Sequence, residues 1–273
     1  MVASPLVNRL SEEGATPPGR KRAVVTGATT GIGYELARLL AADGHDLTIV
    51  ARSTQVLERV AGELAERHGV AVSPISMDLS LPGAASELFA SLSGRPIEVL
   101  VNNAGFGTYG PFAETDLDAT LGMIRLNVEA LTHLTRLVLP GMMEEGRGRI
   151  LNVASTAAFQ PGPLMAVYYA TKAYVLHFTE ALAEELRDAP VTVTVLCPGP
   201  TSTAFQKRAD MEDSGLMRYL GVMDAATVAE AGYRGMWRGR RIVIPGLMNR
   251  LTPLSVRLTP RTLVARMVGL IQK

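Results

Sequence analysis

Cysteine is almost absent from this chain of 273 residues, in which Cys197 is the only one. A single cysteine cannot form an internal disulfide framework or a cysteine-based zinc site. The four histidines show no mutual metal-ligand spacing either. We therefore predict no metal site, and we expect Cys197, which lies in an apolar segment, to be a small buried hydrophobic residue.

Long hydrophobic runs are absent as well. No apolar segment approaches the roughly 18 residues that a membrane-spanning helix needs. Residues 1–22 carry Asn8, Arg9, Glu12 and Glu13 where a signal peptide would need an apolar stretch. We therefore expect a soluble, cytoplasmic protein in which residues 1–22 form a polar N-terminal extension.

The chain also lacks a net excess of charge, with 27 basic and 26 acidic side chains. This balance gives no general reason to expect nucleic acid as a partner. The distribution is uneven, because residues 231–273 contain nine basic residues and no acidic one. In residues 247–273, apolar residues alternate with arginines in a pattern typical of a basic amphipathic helix. Such a helix can contact an anionic membrane surface, but we expect this basic C-terminal tail to pack on its own domain or on a neighbouring subunit.

Apolar residues are plentiful, at 47% of the chain, and they occur in short runs that alternate with longer helical patterns. Short runs that are apolar on both faces, joined by amphipathic helices, predict a parallel sheet covered on both sides. Right-handed crossovers then make a single-domain α/β doubly wound fold of about seven strands over residues 23–273. The predicted strands are Ala23–Thr26, Leu47–Ala51, Val70–Met77, Val99–Asn102, Arg149–Val153, Val191–Cys197 and Ile242–Ile244. The predicted helices are Ile32–Ala42, Gln55–His68, Pro82–Leu92, Leu117–Leu139, Tyr168–Arg187 and Ala225–Trp237.

Three glycines follow the first strand directly, in the run Thr26-Gly27-Ala28-Thr29-Thr30-Gly31-Ile32-Gly33. Glycines let the backbone turn tightly and approach a pyrophosphate, whose charge the N-terminus of the next helix stabilises. The run therefore predicts dinucleotide binding, although an ordinary glycine-rich turn would have the same composition.

The end of the second strand bears on which dinucleotide binds. An acidic residue about 20 positions beyond the glycines would bond the ribose hydroxyls of NAD. The chain has Arg52 and Ser53 there instead, and a guanidinium suits the 2′-phosphate of NADP. Ser53 or Thr54 could add a hydroxyl donor. We expect NADP(H) to be preferred over NAD(H); the alternative is that Arg52 is a solvated residue at the start of the next helix.

Further motifs follow in a fixed order: Asn102-Asn103-Ala104-Gly105, then Ser155, Tyr168-x3-Lys172, and Pro198-Gly199 with Thr203. Together with the glycine run, these motifs resemble the short-chain dehydrogenase/reductase family over about two thirds of the chain. The resemblance implies a Rossmann-like fold and a homodimer or homotetramer. It also implies that Asp78 contacts the adenine and that Asn127 helps to place Lys172 and a proton-relay water. The alternatives are that Asp78 caps the following helix and that Asn127 is a buried structural asparagine.

Tyr168 and Lys172 lie four positions apart in a predicted helix, so their side chains share one face. An unperturbed tyrosine has a pKa of about 10, and a neighbouring ammonium together with a nicotinium charge is expected to lower it. Tyr168 would then be the acid/base catalyst and Lys172 its activator, while Ser155 holds the substrate oxygen. The spacing from Ser155 selects Tyr168 over the adjacent Tyr169.

The predicted cofactor site collects residues from the loops that follow several strands. It comprises Gly27, Thr29, Thr30, Gly31, Ile32, Gly33, Arg52, Ser53, Asp78, Leu79, Asn103, Ala104, Gly105, Tyr168, Lys172, Pro198, Gly199, Thr201 and Thr203. The predicted substrate residues also lie in such loops, and they are Phe106, Phe159, Phe205, Leu216 and Tyr219. Residues 201–223 have the composition of a mobile lid over an apolar pocket, or of a surface loop that packs on a helix.

These features favour an NADP(H)-dependent oxidoreductase that acts on a small-molecule ketone, aldehyde or secondary alcohol, most simply a carbonyl reductase for an apolar substrate. Two alternatives stay open at this point. One is an enzyme specialised for 3-oxoacyl groups or steroid-like ketones. The other is a nucleotide-binding regulatory protein that has kept the fold without turnover.

Overall fold

A computed structural model of the chain describes residues 21–92, 94–203 and 222–272. Within these ranges, seven parallel strands form one sheet in the order β3-β2-β1-β4-β5-β6-β7. The strands are β1 Arg22–Thr26, β2 Asp46–Ala51, β3 Val72–Ser76, β4 Val99–Asn102, β5 Gly148–Val153, β6 Val191–Leu196 and β7 Ile242–Val243. The predicted α/β doubly wound sheet is confirmed, and each strand lies within two residues of its predicted position at both ends.

The helices also follow the predicted alternation. They are α1 Gly31–Ala42, α2 Thr54–His68, α3 Ala84–Ser91, α4 Leu117–Ile124, α5 Leu131–Glu144, α6 Ala166–Glu185, α7 Ala225–Trp237, α8 Leu247–Leu258 and α9 Arg261–Gln272. A π-helical segment, Arg125–Ala130, joins α4 to α5. The single helix predicted from Leu117 to Leu139 is therefore interrupted by a π turn, a feature that is common at functional sites.

Alternate residues of each strand enter opposite cores, because successive side chains of a strand point to opposite faces. Val25 of β1 packs with residues of α1, α2 and α7 on one face of the sheet. Its neighbour Val24 packs with residues of α3, α5 and α6 on the other face. Both faces are thus covered by helices, which explains why the strands are apolar on both sides.

Strand order reverses between β1 and β4, which are direct neighbours in the sheet. In an open parallel sheet, ligands bind at the carboxyl ends of the strands beside such a reversal. The ends of β1, β4, β5 and β6 therefore mark the edge at which a site is expected.

A buried polar network joins the central strands to the helices below them. The Asn102 amide donates to Thr135 Oγ1 and to Asn152 Oδ1, at 3.0 and 2.9 Å. The Asn152 amide in turn donates to Thr179 Oγ1 at 3.0 Å. Because buried polar groups are costly when unpaired, this network fixes how α5 and α6 lie against β4 and β5.

The basic C-terminal tail differs from its prediction. It forms two helices, α8 and α9, rather than one, because Pro260 follows Thr259, a residue with extended backbone at the end of α8. None of the described helices combines the length and the apolar character that crossing a bilayer requires.

Candidate active site

The glycine loop after β1 is hydrogen-bonded to the residues that follow β4. The Asn103 amide donates to the carbonyl oxygens of Thr26 and Gly27, at 3.0 and 3.1 Å. The hydroxyl of Thr26 accepts from the backbone N–H groups of Asn103 and Ala104. These bonds tie the ends of the two strands together where the strand order reverses.

Glycine is required in this loop for reasons of space. Gly27 has a positive φ of 68°, and a Cβ there would lie 2.9 Å from the Ala104 Cα. Gly31, with a φ of 60°, would place its Cβ 2.7 Å from Thr203 Cγ2. A Cβ on Gly33 would overlap the carbonyl oxygen of Gly27, so the loop must move if a side chain is added at Gly33.

The N-terminus of α1 fits the phosphates of a dinucleotide. The N-cap residue Thr30 makes no side-chain capping bond, and the first turn of α1 contains no acidic residue. The first-turn N–H groups and the positive end of the helix dipole therefore suit an anion. Together with the glycines, this geometry fits a nicotinamide dinucleotide.

Arg52 and Asp78 lie close together in the loops that follow β2 and β3. Arg52 Nη1 is 3.9 Å from Asp78 Oδ2, and the Arg52 side chain is 63% exposed. Asp78 accepts from the backbone N–H and the hydroxyl of Ser80, so it caps a local turn rather than a helix. The hydroxyl of Thr54 donates to Ser76 Oγ and does not line the cavity, which leaves Ser53 as the hydroxyl beside Arg52.

Ser155 and Tyr168 meet just beyond β5. Ser155 follows the strand closely, its hydroxyl accepts from the Ala157 N–H at 3.1 Å, and it is hydrogen-bonded to the Tyr168 side chain. Burial raises the pKa of Tyr168 above its ordinary value, and the bond from Ser155 opposes that rise. In the protein alone, desolvation of the phenolate is the larger effect, and the lowering of this pKa by Lys172 together with a nicotinium charge stays a prediction.

Lys172 is buried one helical turn beyond Tyr168. Its Nζ lies 5.8 Å from the centroid of the Tyr168 ring and donates to the Val153 carbonyl oxygen at 2.9 Å. Burial lowers the pKa of Lys172 to about 8. The ammonium is thus fixed beside the tyrosine by the end of β5, as its predicted supporting position requires.

Asn127 lies in the π-helical segment and is buried. Its amide donates to the Phe106 carbonyl oxygen and to Thr171 Oγ1, and its Oδ1 accepts from the Phe106 N–H. A Cβ on Gly105 would lie 2.9 Å from Asn127 Oδ1 and 3.4 Å from Lys172 Nζ. Asn127 therefore joins the loop after β4 to α6 beside Lys172, as a buried structural asparagine would.

One cavity of about 740 Å³ brings these parts together. The predicted cofactor residues line it with a single exception, and so do Ser155, Tyr168 and Lys172, which are predicted to be catalytic. The exception is Gly33, whose role is the close approach of α1 to the loop. Among the residues that the structure describes, no group of His, Cys, Asp and Glu side chains is arranged to hold a metal ion.

The wall of this cavity includes residues that sequence reasoning missed. Helix α8 contributes Met248, Asn249, Leu251, Thr252 and Ser255 to the lining. A Cβ on Gly199 would lie 2.6 Å from Asn249 Oδ1, so the loop after β6 and α8 are in close contact. No local sequence motif predicts this wall, because it depends on contact between distant parts of the chain.

Helix α9 contacts Tyr109 and Tyr169 and packs in the apolar cluster that contains Tyr168. The buried Gln272 donates from Nε2 to the Tyr169 hydroxyl, and its backbone oxygen accepts from the Tyr109 hydroxyl, both at 2.6 Å. Val264 and Val268 of the same helix pack in the cluster that contains Tyr168. Tyr169 is thus a structural neighbour, and Tyr168 alone of the pair bonds to Ser155, as the spacing predicted.

The predicted substrate residues have different outcomes. Phe106 lines the cavity. Phe159 does not line the described cavity, because this residue ends the 3₁₀ turn Thr156–Phe159 and packs against the apolar cluster around Val175; its substrate role stays a prediction. Phe205, Leu216 and Tyr219 lie outside the described residues. The two ends of the predicted lid are joined by a bridge between Thr201 and Met223.

The chain matches the short chain dehydrogenase family model over residues 21–214. It therefore belongs to the short-chain dehydrogenase family of oxidoreductases. A very-long-chain 3-oxoacyl-CoA reductase of Anas platyrhynchos is 39% identical over 193 residues, which are 68% of this chain and 61% of that protein. The chain thus spans less than two thirds of the length of that relative.

Solved structures agree with this family. A short-chain dehydrogenase from Sphingobium yanoikuyae in complex with NADPH is 32% identical, with a TM-score of 0.79, over 87% of this chain and 93% of that one. The bulky-bulky ketone specific alcohol dehydrogenase from Comamonas testosteroni is 30% identical, with a TM-score of 0.74 and the same coverage. The fold is therefore that of the family.

The space at Gly33 predicts the effect of adding one methyl group. In Gly33→Ala, the Cβ would meet the Gly27 carbonyl oxygen, and the loop must shift at a cost of roughly 1–3 kcal/mol. We expect NADPH affinity, measured by fluorescence titration, to fall at least about tenfold. Gly62→Ala is the matched control, because a Cβ in the middle of α2 meets no atom within 4 Å. Equal NADPH affinity in the two variants would contradict the proposal that the glycine loop binds the dinucleotide phosphates.

The depressed pKa of Lys172 predicts how stability changes with pH. Between about pH 8 and 10.5, the unfolded chain keeps a proton on this lysine that the folded protein has released. The contribution of Lys172 to the free energy of unfolding therefore rises with pH in this window. We expect the rise to be smaller in Lys172→Met when urea unfolding is compared at several pH values. Parallel curves for the two proteins would show that the lysine is not desolvated.

Proposed function

We propose that this chain is an NADP(H)-dependent oxidoreductase that reduces the carbonyl group of an apolar ketone. The observation that carries the proposal is that Ser155, Tyr168 and Lys172 line the same cavity as the glycine loop. A cavity that contains both a phosphate cradle and an acid/base group suits hydride chemistry. The same residues act in reverse on a secondary alcohol.

Tyr168 is the proton donor in this proposal. Its raised pKa keeps the phenol protonated at neutral pH, which is the state that a reduction requires. Ser155, bonded to the same phenol, holds the carbonyl oxygen next to that proton. The Lys172 ammonium lies close enough to stabilise the phenolate that remains. A bound nicotinamide supplies the hydride.

The preference for NADP(H) rests on Arg52 and Ser53, which line the cavity at the end of β2. The mostly exposed guanidinium is available to a 2′-phosphate, since its ion pair with Asp78 is long. The NADPH in the Sphingobium yanoikuyae structure supports this choice.

The substrate side of the cavity supports an apolar carbonyl compound. Phe106, Met165, Met248 and Leu251 contribute to its lining. The bulky-ketone specificity named for the Comamonas testosteroni protein agrees with such a wall. An apolar pocket with a few convergent polar groups is the usual form of a small-molecule site.

A second candidate is the reduction of a long-chain 3-oxoacyl thioester. The name of the Anas platyrhynchos relative favours it. The same catalytic residues would serve, and the apolar wall would contact the acyl chain. Assays that follow NADPH absorbance with bulky ketones and with 3-oxoacyl thioesters of graded chain length would separate the two candidates.

We also propose a cytoplasmic homo-oligomer. Helices α4 and α6 expose Leu117, Leu121, Ile124 and Tyr174. These are the helices after the fourth and fifth strands, through which the family resemblance places subunit contacts. Burial of these side chains against a second copy would remove an apolar patch from water.

Loss of the phenolic hydroxyl tests the catalytic assignment. We expect Tyr168→Phe to bind NADPH normally and to lose turnover by about 10²–10⁴-fold, because no proton donor remains. Tyr169→Phe is the matched control, since the Tyr169 hydroxyl bonds Gln272 and not Ser155, and its turnover should change little. If Tyr168→Phe retains the activity of the parent, the enzyme proposal fails and a regulatory nucleotide-binding role gains support.

Replacement of Arg52 tests the choice of cofactor. We expect Arg52→Ala to lower NADPH affinity roughly tenfold and to leave NADH affinity unchanged, because only NADPH carries the 2′-phosphate. Arg59→Ala, an exposed arginine of α2 outside the cavity, is the control. Equal losses for both dinucleotides would show that Arg52 does not contact the phosphate.

A further inference from the structure

Helix α8 carries a row of exposed leucines on one side. Leu247, Leu254 and Leu258 are 75%, 57% and 87% exposed, and Leu251 lies between them. Their spacing of four, three and four residues places all four on the same face of the helix. We call this set the outer leucine row.

The other sides of α8 are already occupied. Val256 faces inward, where it packs against the cluster around Tyr168. Met248, Thr252 and Ser255 face the cavity. Leu247, Leu254 and Leu258 of the outer leucine row therefore point away from both the core and the cavity, Leu251 lies at the cavity edge, and within the described ranges all four are exposed.

Helix α9 repeats this arrangement. Val264, Val268 and Gln272 face the protein and are buried. Leu263, Met267, Leu270 and Ile271 are exposed, Leu270 to 74%. Two consecutive helices thus each bury one apolar side and leave another in water, which is unusual unless the second side has a partner.

Charge indicates what kind of partner fits. Arg250 and Arg257 border the outer leucine row, and Arg266 lies next to Leu270 on α9; all three are exposed. No acidic residue occurs from Ala231 to Lys273. The covering surface should therefore be apolar and negatively charged at once.

A second copy of the chain fits this surface poorly. In a two-fold interface the same patch would face itself, so the arginines of one copy would approach those of the other. Apolar residues bordered by arginines instead match an interfacial helix, whose apolar side enters the lipid boundary while its cations meet anionic headgroups.

We propose that α8 and α9 dock this protein on the surface of an anionic lipid bilayer. Leu251 belongs both to the outer leucine row and to the cavity lining. A bilayer that covers the row therefore borders the cavity mouth. The docking itself is independent of the reaction proposed above and of its substrate.

Vesicle sedimentation tests the proposal with the full-length protein. The probes are large vesicles of phosphatidylcholine alone, and vesicles in which half of the lipid is phosphatidylglycerol. We expect the protein to sediment with the anionic vesicles and much less with the neutral ones. Leu254→Ser/Leu258→Ser removes apolar contact outside the cavity lining, and we expect binding to fall at least about tenfold. Arg257→Gln/Arg266→Gln should lower it about thirtyfold on anionic vesicles.

Matched controls separate docking from damage to the fold. Leu81→Ser changes an exposed leucine of the β3–α3 connection, and Arg59→Gln/Arg67→Gln removes the same charge from exposed positions of α2. Both controls should bind vesicles like the parent. All variants should keep the parent melting temperature and NADPH affinity, since none of the changed residues lines the cavity.

Two results would overturn the proposal. One is that the parent protein does not sediment with anionic vesicles, and the other is that both docking variants sediment as the parent does. In the first case, sedimentation equilibrium would then show whether the leucine variant has a lower molecular mass than the parent. A lower mass would identify the face as a contact between copies of the chain.

Discussion

The parallel arrangement of β1, β4, β5 and β6 is the constraint on which the whole site depends. Parallel neighbours end at the same edge of a sheet, so residues more than a hundred positions apart follow strand ends that lie side by side. The amide of Asn103 then bonds the glycine loop from the side of β4. Without this strand order, the glycine loop and the tyrosine would have no common cavity.

Burial also sets the protonation of two side chains in the site. It raises the pKa of Tyr168 and lowers that of Lys172, so desolvation disfavours the charged form of both groups. The protein holds this desolvated pair in place with a bond from Lys172 to the end of β5 and with the Asn127 bond to Thr171 on the same helix. A site of this kind exchanges some stability for chemical reactivity.

Much of the fold and the polar half of the site could be predicted, because they depend on local signals. Period, glycine spacing and strand ends predicted the sheet, helix spacing placed Tyr168 and Lys172 on one face, and the family resemblance added Ser155 to them. The apolar half could not be predicted in the same way. The α8 wall and the bonds of Gln272 depend on contacts between distant segments, and the ring of Phe159 turned toward a nearby apolar cluster that no local pattern reveals.

The bonds of Gln272 have a consequence for the order in which the molecule assembles. They connect positions 163 and 103 residues apart, and contacts that close such long loops form late in folding. As the chain emerges from a ribosome, the sheet up to β6 and its glycine loop can form before α9 exists. At that stage of synthesis the cluster around Tyr168 still lacks Val264 and Val268 of α9, so this apolar side of α6 is not yet covered. A chaperone that recognises exposed apolar surface would meet the protein at that stage.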